Sequence, residues 1–437
     1  MIDAGKVAGM GRVTTPATWV PGADGSGFGI EHLPYGVIRV AGGPPGPAVR
    51  IGDRALPLAP LATAGLLDSV AADRAALSQA LAAPTLNPLL ELGPEIWSGL
   101  RVRLGELLAA GSTELADAGL VDDALIPLAD AEELLPIVIG DYVDFYSSLE
   151  HASNVGRLVR PEGEPLFPNW RHLPVGYHGR AATVVVSGTP IRRPAGQTAP
   201  ETPDGPPGFG PERMLDFELE LGFVTGAGPP PGERITPDAA ADHIFGFVLV
   251  NDWSARSIQA WEYQPLGPFL SKAFATSVGA WITPLAALEP FRVPGPGHDP
   301  EPLEHLRAPE PRAFDLALEV ALSPAGADDE VVISRPNASW LYWTAVQQLA
   351  HATAGGAAVR AGDLFASGTI SGSEPGSQGC LLELTRAGQE PLRLGDGTER
   401  TFLEDGDEVV LRGAGAPGEG RPTLALAEVR GRIEPAI

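Results

Sequence analysis

The sequence predicts a mainly β protein with some helix, arranged as a small N-terminal unit followed by a larger one. Three patterns carry that expectation. Short β-like pieces broken by Gly and Pro fill the stretch from Phe28 to Leu58, which suggests a small barrel or roll. Ile244-Phe245-Gly246-Phe247-Val248-Leu249-Val250 is an unbroken apolar run, with the length and composition of a strand buried on both faces. Leu215 to Phe223 alternates strictly, with apolar residues at odd positions and acids at 216, 218 and 220. A strand there sets all three acids on one face.

Taken in order, Met1 to about Ala17 reads as a leader, and the N-terminal unit covers about 18–136. Its strand pieces are Phe28 to Ile30, Tyr35 to Val40, Val49 to Gly52 and Leu56 to Leu58. Helices with periodic Leu and Ala follow over Leu66 to Leu81 and Ile96 to Leu108. No cluster of chemical groups stands out, so packing or closure on the substrate side is its expected role. The second unit covers 137–437. Val184 to Val186, Phe314 to Leu322, Glu330 to Ile333 and Leu381 to Leu384 read as strands, the last carrying Glu383. Asp407 to Leu411 and Leu424 to Ile433 read as a closing strand pair. Trp253 to Tyr263 and Trp340 to Ala352 read as helices.

Composition narrows the function classes. The 437 residues carry 30 basic and 55 acidic side chains, for a net charge of −25. Such a surface argues against nucleic-acid and anionic-membrane partners, and an anionic substrate needs a local basic pocket. The single cysteine, Cys380, excludes an internal disulfide and fits a reducing cytosol. No apolar run approaches the ~20 residues that span a bilayer, and the first residues lack the apolar stretch of a signal peptide. A cytoplasmic protein is expected.

The chemistry concentrates between Ile244 and Ile282. Asn251 and Asp252 follow the apolar strand directly, placing a carboxylate at the mouth of a buried element. Arg256, Gln259 and Tyr263 are spaced three and four apart on the predicted helix and share a face. Lys272 and Thr276 come next. Upstream, Glu218 and Glu220 form an E-x-E whose mutual repulsion a hard divalent cation would relieve. All-oxygen ligation favours calcium or magnesium over zinc. Asp252 and Asp144 are natural further ligands. The alternative is a solvated acidic strand face. His151 follows a dense polar-aromatic stretch and is suited to general-base work near neutral pH. It needs an orienting carboxylate, for which Glu383 is one candidate; spacing alone leaves that pairing open. Gly413-x-Gly415-x-x-Gly418 matches a dinucleotide fingerprint, but Pro417 and Pro422 block the helix it requires, so a hairpin loop is expected.

The stretches DYVDFYSSLEHASNVG, NWRHLPVGYHGRAATVVVSGTPIRRPAGQ, LDFELELGF, VNDWSARSIQAWEYQPLGPFLSKAFATS and ASGTISGSEPGSQGCLLEL together resemble the fumarylacetoacetate hydrolase family, in family order from about Trp19 onward. The resemblance implies an SH3-like barrel domain at 18–136, a larger mixed β-sandwich roll at 137–437, and a homodimer. It implies calcium and/or magnesium, and cleavage of the carbon–carbon bond of fumarylacetoacetate, an anionic diketo acid, in the last step of tyrosine and phenylalanine breakdown. Motif by motif, Asp144, Glu218, Glu220 and Asp252 match metal ligands, with Lys272 and Thr276 beside a second ion. His151 matches the general base and Glu383 its orienting carboxylate, while Arg256, Gln259 and Lys272 match oxyanion-stabilising groups. Tyr146, Arg160, Tyr177, Gln259, Tyr263 and Thr369 match substrate contacts. Ser257 departs from the Asp common in the family. The nearest rival readings are an acylpyruvate hydrolase or sugar-acid dehydratase of the same superfamily, and a non-catalytic metal-binding scaffold.

Overall fold

The computed structural model describes residues 17–120, 124–327, 329–395 and 397–437; the leader expected at 1–17 lies outside them except for Ala17. Strands β1 (Tyr35–Val40), β2 (Gly46–Ile51) and β3 (Arg54–Pro57) form an antiparallel meander. Two short strands, β4 (Ile126–Pro127) and β5 (Ala131–Leu134), pair with β3 and β1. Between β3 and β4 run α1 (Arg74–Leu81) and α2 (Pro94–Leu108). Helix α1 is shorter than the Leu66–Leu81 expected, because Asp73 accepts from the Ala76 N–H and caps the chain there. Residues 64–70 turn instead. Phe28 to Ile30 is also not a strand; Phe28 makes one isolated bridge, to Leu424.

In the larger unit, β6 (Tyr142–Phe145) leads into α3 (Leu149–Val159), then β7 (Gly176–His178), β8 (Val184–Val186) and β9 (Ile191–Arg192). The acidic segment breaks into β10 (Leu215–Asp216) and β11 (Leu219–Thr225), followed by β12 (Ile244–Asp252) and β13 (Ser254–Ala255). Next come α4 (Arg256–Glu262), α5 (Leu270–Ala273), β14 (Thr276–Val278) and β15 (Trp281–Pro284). Strands β16 (Leu316–Ser323) and β17 (Val331–Ser334), helix α6 (Ala345–Thr353), β18 (Leu364–Ala366), helix α7 (Leu381–Leu384), β19 (Glu408–Gly415) and β20 (Val429–Glu434) complete the elements that frame the site.

Thirteen strands join in one sheet, ordered β4-β3-β2-β1-β15-β12-β11-β18-β6-β7, with β5 on β1 and β14 bridging β12 and β8. Among the described residues this sheet does not close on itself. A second sheet runs β17-β16-β19-β20-β9. Thus β1 of the N-terminal unit hydrogen-bonds to β15 of the larger one, Tyr35 opposite Ile282. The apolar strand is β12, and every residue in it is buried. Phe247 and Leu249 pack into one core with Phe223, Phe291 and Leu411. Val248 and Val250 pack into another with Leu56, Leu104 and Ile282. Each such side chain contributes about 1.5–3 kcal/mol on burial. Among the described residues no helix is long and apolar enough to cross a membrane.

Three expected elements differ for identifiable reasons. Helix α4 begins at Arg256 rather than Trp253, because Ser254 and Ala255 pair with Asp216 and Leu215. Helix α6 begins at Ala345 rather than Trp340, where Thr344 and Gln347 form a capping box. Leu381 to Leu384 is a helix rather than a strand: Asp216 accepts from the Leu381 and Leu382 N–H groups at 2.7 and 3.0 Å and satisfies the open donors of its first turn.

Gly246 in β12 lies so close to β15 that a Cβ there would sit 2.3 Å from the Thr283 carbonyl oxygen. Gly246→Ala should therefore force the strands apart and destabilise the protein by about 1–3 kcal/mol. Denaturant unfolding followed by circular dichroism measures this; an unchanged midpoint would show that the strands separate freely.

Candidate active site

Four adjacent strands lay out the carboxylates. Asp252 ends β12, Glu220 lies on β11 and Asp144 on β6, with β18 between the last two. An oxygen from each of Asp144, Glu220 and Asp252 lies within 4.8 Å of the others, and all three residues are buried. The solvated-face alternative is thereby overturned. Glu220 Oε2 accepts from the Gly368 N–H at 2.9 Å. Asp144 Oδ1 and Glu220 Oε1 are buried and have no hydrogen-bond partner among the described residues. Burial pushes Asp144 well above the usual carboxylate range, and the neighbouring Asp252 adds to it. Burial does the same to Glu220, reinforced by Asp144 and Asp252. Three close-set buried carboxylates, two of them with an unpartnered oxygen, form the all-oxygen donor set that a hard divalent cation takes, so these three residues fit such an ion.

Glu218 has a different environment. Its Oε1 lies 2.8 Å from Arg256 Nη1, and its Oε2 is held by Lys272 Nζ. Burial would raise its pKa, but Lys272 and Arg256 outweigh burial and hold it at about 2. Lys272 also reaches Asp252 Oδ2 at 2.6 Å. Burial opposes its charge, yet Asp252 and Glu218 prevail and keep the ammonium protonated. Thr276 Oγ1 donates to Asp252 Oδ1 at 3.3 Å and Tyr177 Oη to Asp252 Oδ2 at 3.1 Å. Burial and Asp144 push the Tyr177 phenol up, so it stays a donor.

His151 and Glu383 meet. The Nδ1–Oε2 distance is 2.6 Å and both residues are buried. Burial would raise Glu383, but His151 and further donors hold it below the usual range. An ionised carboxylate only accepts, so Nδ1 is the donor and Nε2 is the nitrogen left to act as a base. Tyr146 packs edge-on against His151 with ring centroids 5.2 Å apart. Arg256 donates through Nε to Asp216 Oδ2 at 2.9 Å and through Nη1 to Gln259 Oε1 at 3.0 Å. That contact occupies the Gln259 oxygen and leaves its NH₂ group to donate elsewhere. Thr369 is buried, with its Oγ1 unpartnered among the described residues.

Two candidates stand apart from this cluster. Arg160 donates to the Pro165 carbonyl at 2.6 Å and stacks on Phe167 at 4.3 Å. Tyr263 is 36% exposed, and its contact is with the Gln264 amide. Sequence reasoning gave no role to Asp216, Asn154, Ser371 or Cys380, yet each touches a site residue. Asp216 braces Arg256, and the other three donate to Glu383. Only Asn154 left a signal, one helical turn beyond His151. Cys380, Glu383 and His151 could in principle bind a cation, but burial and Glu383 push the thiol well up, so it remains a hydrogen-bond donor.

The raised carboxyls fix a pH dependence. A group whose folded pKa exceeds its unfolded one contributes stability below the ordinary value, and that contribution is lost as pH rises through the folded pKa. Asp144 and Glu220 therefore destabilise the cation-free protein as pH climbs above the ordinary carboxylate range. Glu218 acts with the opposite sign, in a lower window between about 2 and 4.5. Cation binding displaces the protons, so the rise in unfolding temperature produced by magnesium or calcium should grow with pH. Calorimetric titration should show Glu220→Gln and Asp252→Asn weakening the cation by at least the ~10- to 100-fold lost when a mere ligand support is changed. Unchanged affinity in both would remove the site.

The model of the fumarylacetoacetate (FAA) hydrolase C-terminal family matches residues 142–426, and that of the fumarylacetoacetase N-terminal family matches residues 31–136. The chain is 46% identical to the fumarylacetoacetase of Bos taurus over 422 residues, 96% of this chain and 99% of that one. It is 46% identical to the Arabidopsis thaliana fumarylacetoacetase over 413 residues, 94% and 96% of the two chains. A solved fumarylacetoacetate hydrolase from Exiguobacterium antarcticum aligns with a TM-score of 0.49 at 14% identity, covering 92% of this chain and 99% of that one. A match of this extent, on a chain whose buried carboxylates and His–Glu pair come from the same matched region, means that the protein belongs to the fumarylacetoacetate hydrolase family.

Proposed function

We propose that the protein hydrolyses the carbon–carbon bond of fumarylacetoacetate to give fumarate and acetoacetate. The observation that carries this reading is the buried His151–Glu383 pair, Nδ1 to Oε2 at 2.6 Å, in a chain that also gathers the buried carboxylates of Asp144, Glu220 and Asp252. Asp144, Glu220 and Asp252, with Glu218 alongside, would hold a calcium or magnesium ion, which when bound supplies Lewis-acid polarisation of the diketone. His151 Nε2 takes a proton from water, and Glu383 steadies the imidazolium that forms. The water oxygen bonds to the acyl carbon, and Arg256, the Gln259 amide and Lys272 stabilise the oxyanion. The carbon–carbon bond then breaks with its electron pair on the leaving carbon, which receives the proton from Nε2. Arg160, Tyr146, Tyr177, Tyr263 and Thr369 are assigned to the substrate, with Arg160 supplying the cation that an anionic diketo acid needs. The reading extends to a cytoplasmic homodimer acting in tyrosine breakdown, with an SH3-like barrel at 18–136 and the catalytic roll at 137–437.

Purified protein should remove the diketone absorbance of fumarylacetoacetate, lose that activity with a chelator, and regain it with magnesium or calcium. Brisk turnover of an acylpyruvate alongside inert fumarylacetoacetate would overturn the substrate assignment. His151→Ala should lower kcat by the ~10²- to 10⁴-fold of a positioned base while keeping cation affinity. Glu383→Gln should lose no more than His151→Ala, and the double variant scarcely more, because groups acting as one unit are not additive. Fully additive losses would separate the two residues.

A further inference from the structure

Glu383 is held at both oxygens, and the two are held differently. Oε2 faces His151 Nδ1 at 2.6 Å, Ser371 Oγ at 2.7 Å and Cys380 Sγ at 3.2 Å. Oε1 accepts from Asn154 Nδ2 at 2.9 Å, its only protein donor among the described residues. The distinction matters because the last torsion of a glutamate is soft and roughly two-fold. Donors on Oε2 hold one oxygen, and a donor on Oε1 adds a second anchor on the far side of the torsion axis, so the plane is held from both sides. Asn154 stands three residues beyond His151 on α3, so the histidine and this donor share one helix face. Its Oδ1 accepts from Arg157 Nη1 at 3.2 Å, which turns the NH₂ toward the carboxylate. The helix itself is pinned to the Ser371 segment: Ser148 Oγ accepts from the His151 N–H and donates to the Ser371 carbonyl, both at 3.3 Å.

We propose that Asn154 is a positioning residue, which through Nδ2 locks the Glu383 carboxylate plane so that Oε2 keeps the Nδ1 proton of His151 and Nε2 stays basic. This rests on the general-base reading of His151. The contact with Glu383 makes Asn154 part of the machinery that sets the histidine tautomer, although it need not touch substrate.

Two readouts test it on the full chain. The first is the downfield proton resonance of His151 Nδ1, identified by its loss in His151→Ala. Asn154→Ala should broaden or shift it, and so should Asn154→Asp, which keeps the shape of the side chain but cannot donate from an ionised carboxylate. The second is steady-state kinetics with fumarylacetoacetate. Both variants should lose about tenfold in kcat, a fraction of what the base supplies, with KM unchanged. In a Glu383→Gln background Asn154→Ala should add no further loss. An Nδ1 resonance unmoved in both variants would overturn the proposal, as would kinetic losses that multiply across the double variant. Wild-type protein that leaves fumarylacetoacetate intact while its Nδ1 resonance still responds to Asn154 would end the hydrolase reading and leave the positioning role standing.

Discussion

Five buried carboxylates, Asp144, Asp216, Glu218, Glu220 and Asp252, share two buried cations, Arg256 and Lys272. Unpaired charge is expensive in a low-dielectric interior, and the arrangement of the site follows from how this shortage is distributed. Arg256 goes to Asp216 and Glu218, and Lys272 to Glu218 and Asp252. What remains is a pair of acids, Asp144 and Glu220, each with a buried oxygen that has no partner among the described residues. Neutral donors soften the rest: the Gly368 N–H on Glu220, and Thr276 and Tyr177 on Asp252. The deficit is thus concentrated at one point, where adjacent strands bring Asp144 and Glu220 beside Asp252.

Asp216 connects this electrostatic problem to the catalytic pair. It takes no part in the cation cluster, but its two oxygens bind Arg256 on one side and the first turn of α7 on the other. Helix α7 carries Glu383, and Glu383 meets His151 on α3. One carboxylate therefore holds both Arg256 and the short helix that carries Glu383. Its own charge is met by Arg256 and by backbone N–H groups, which partly offset burial.

The legible parts of the molecule were those in which period and burial coincide. Strand β12 is apolar on both faces because it lies between two cores, and its composition states as much. Asp252 stood out because it follows such a strand directly, although an N-cap acid would read the same; its burial beside Asp144 and Glu220 came only with the structure. Partnerships made by side chains across long stretches of sequence were not readable from pattern: Asp216 capping α7, Glu218 shared by Arg256 and Lys272, and the closure of His151 on Glu383. Leu381 to Leu384 shows why. Four residues rich in Leu carry no periodicity that separates strand from helix, and the deciding group, Asp216, sits in a different part of the chain. The family resemblance paired His151 with Glu383 where spacing left the partner open.

The pairing of β1 with β15 has a consequence for the chain as a material object. Residues 281 and 282 take their next hydrogen-bonded neighbours from residues 35 and 36, and one apolar core draws Leu56 and Leu104 together with Val248 and Ile282. A fragment cut near residue 136 would keep every acid of the site, yet β15 would become an open edge beside a stripped apolar face. Such a rim is a template for any passing strand, so the isolated larger unit would be expected to aggregate sooner than to work. In the intact chain residues 35 and 36 cover that edge, and the core shared with Leu56 and Leu104 covers that face.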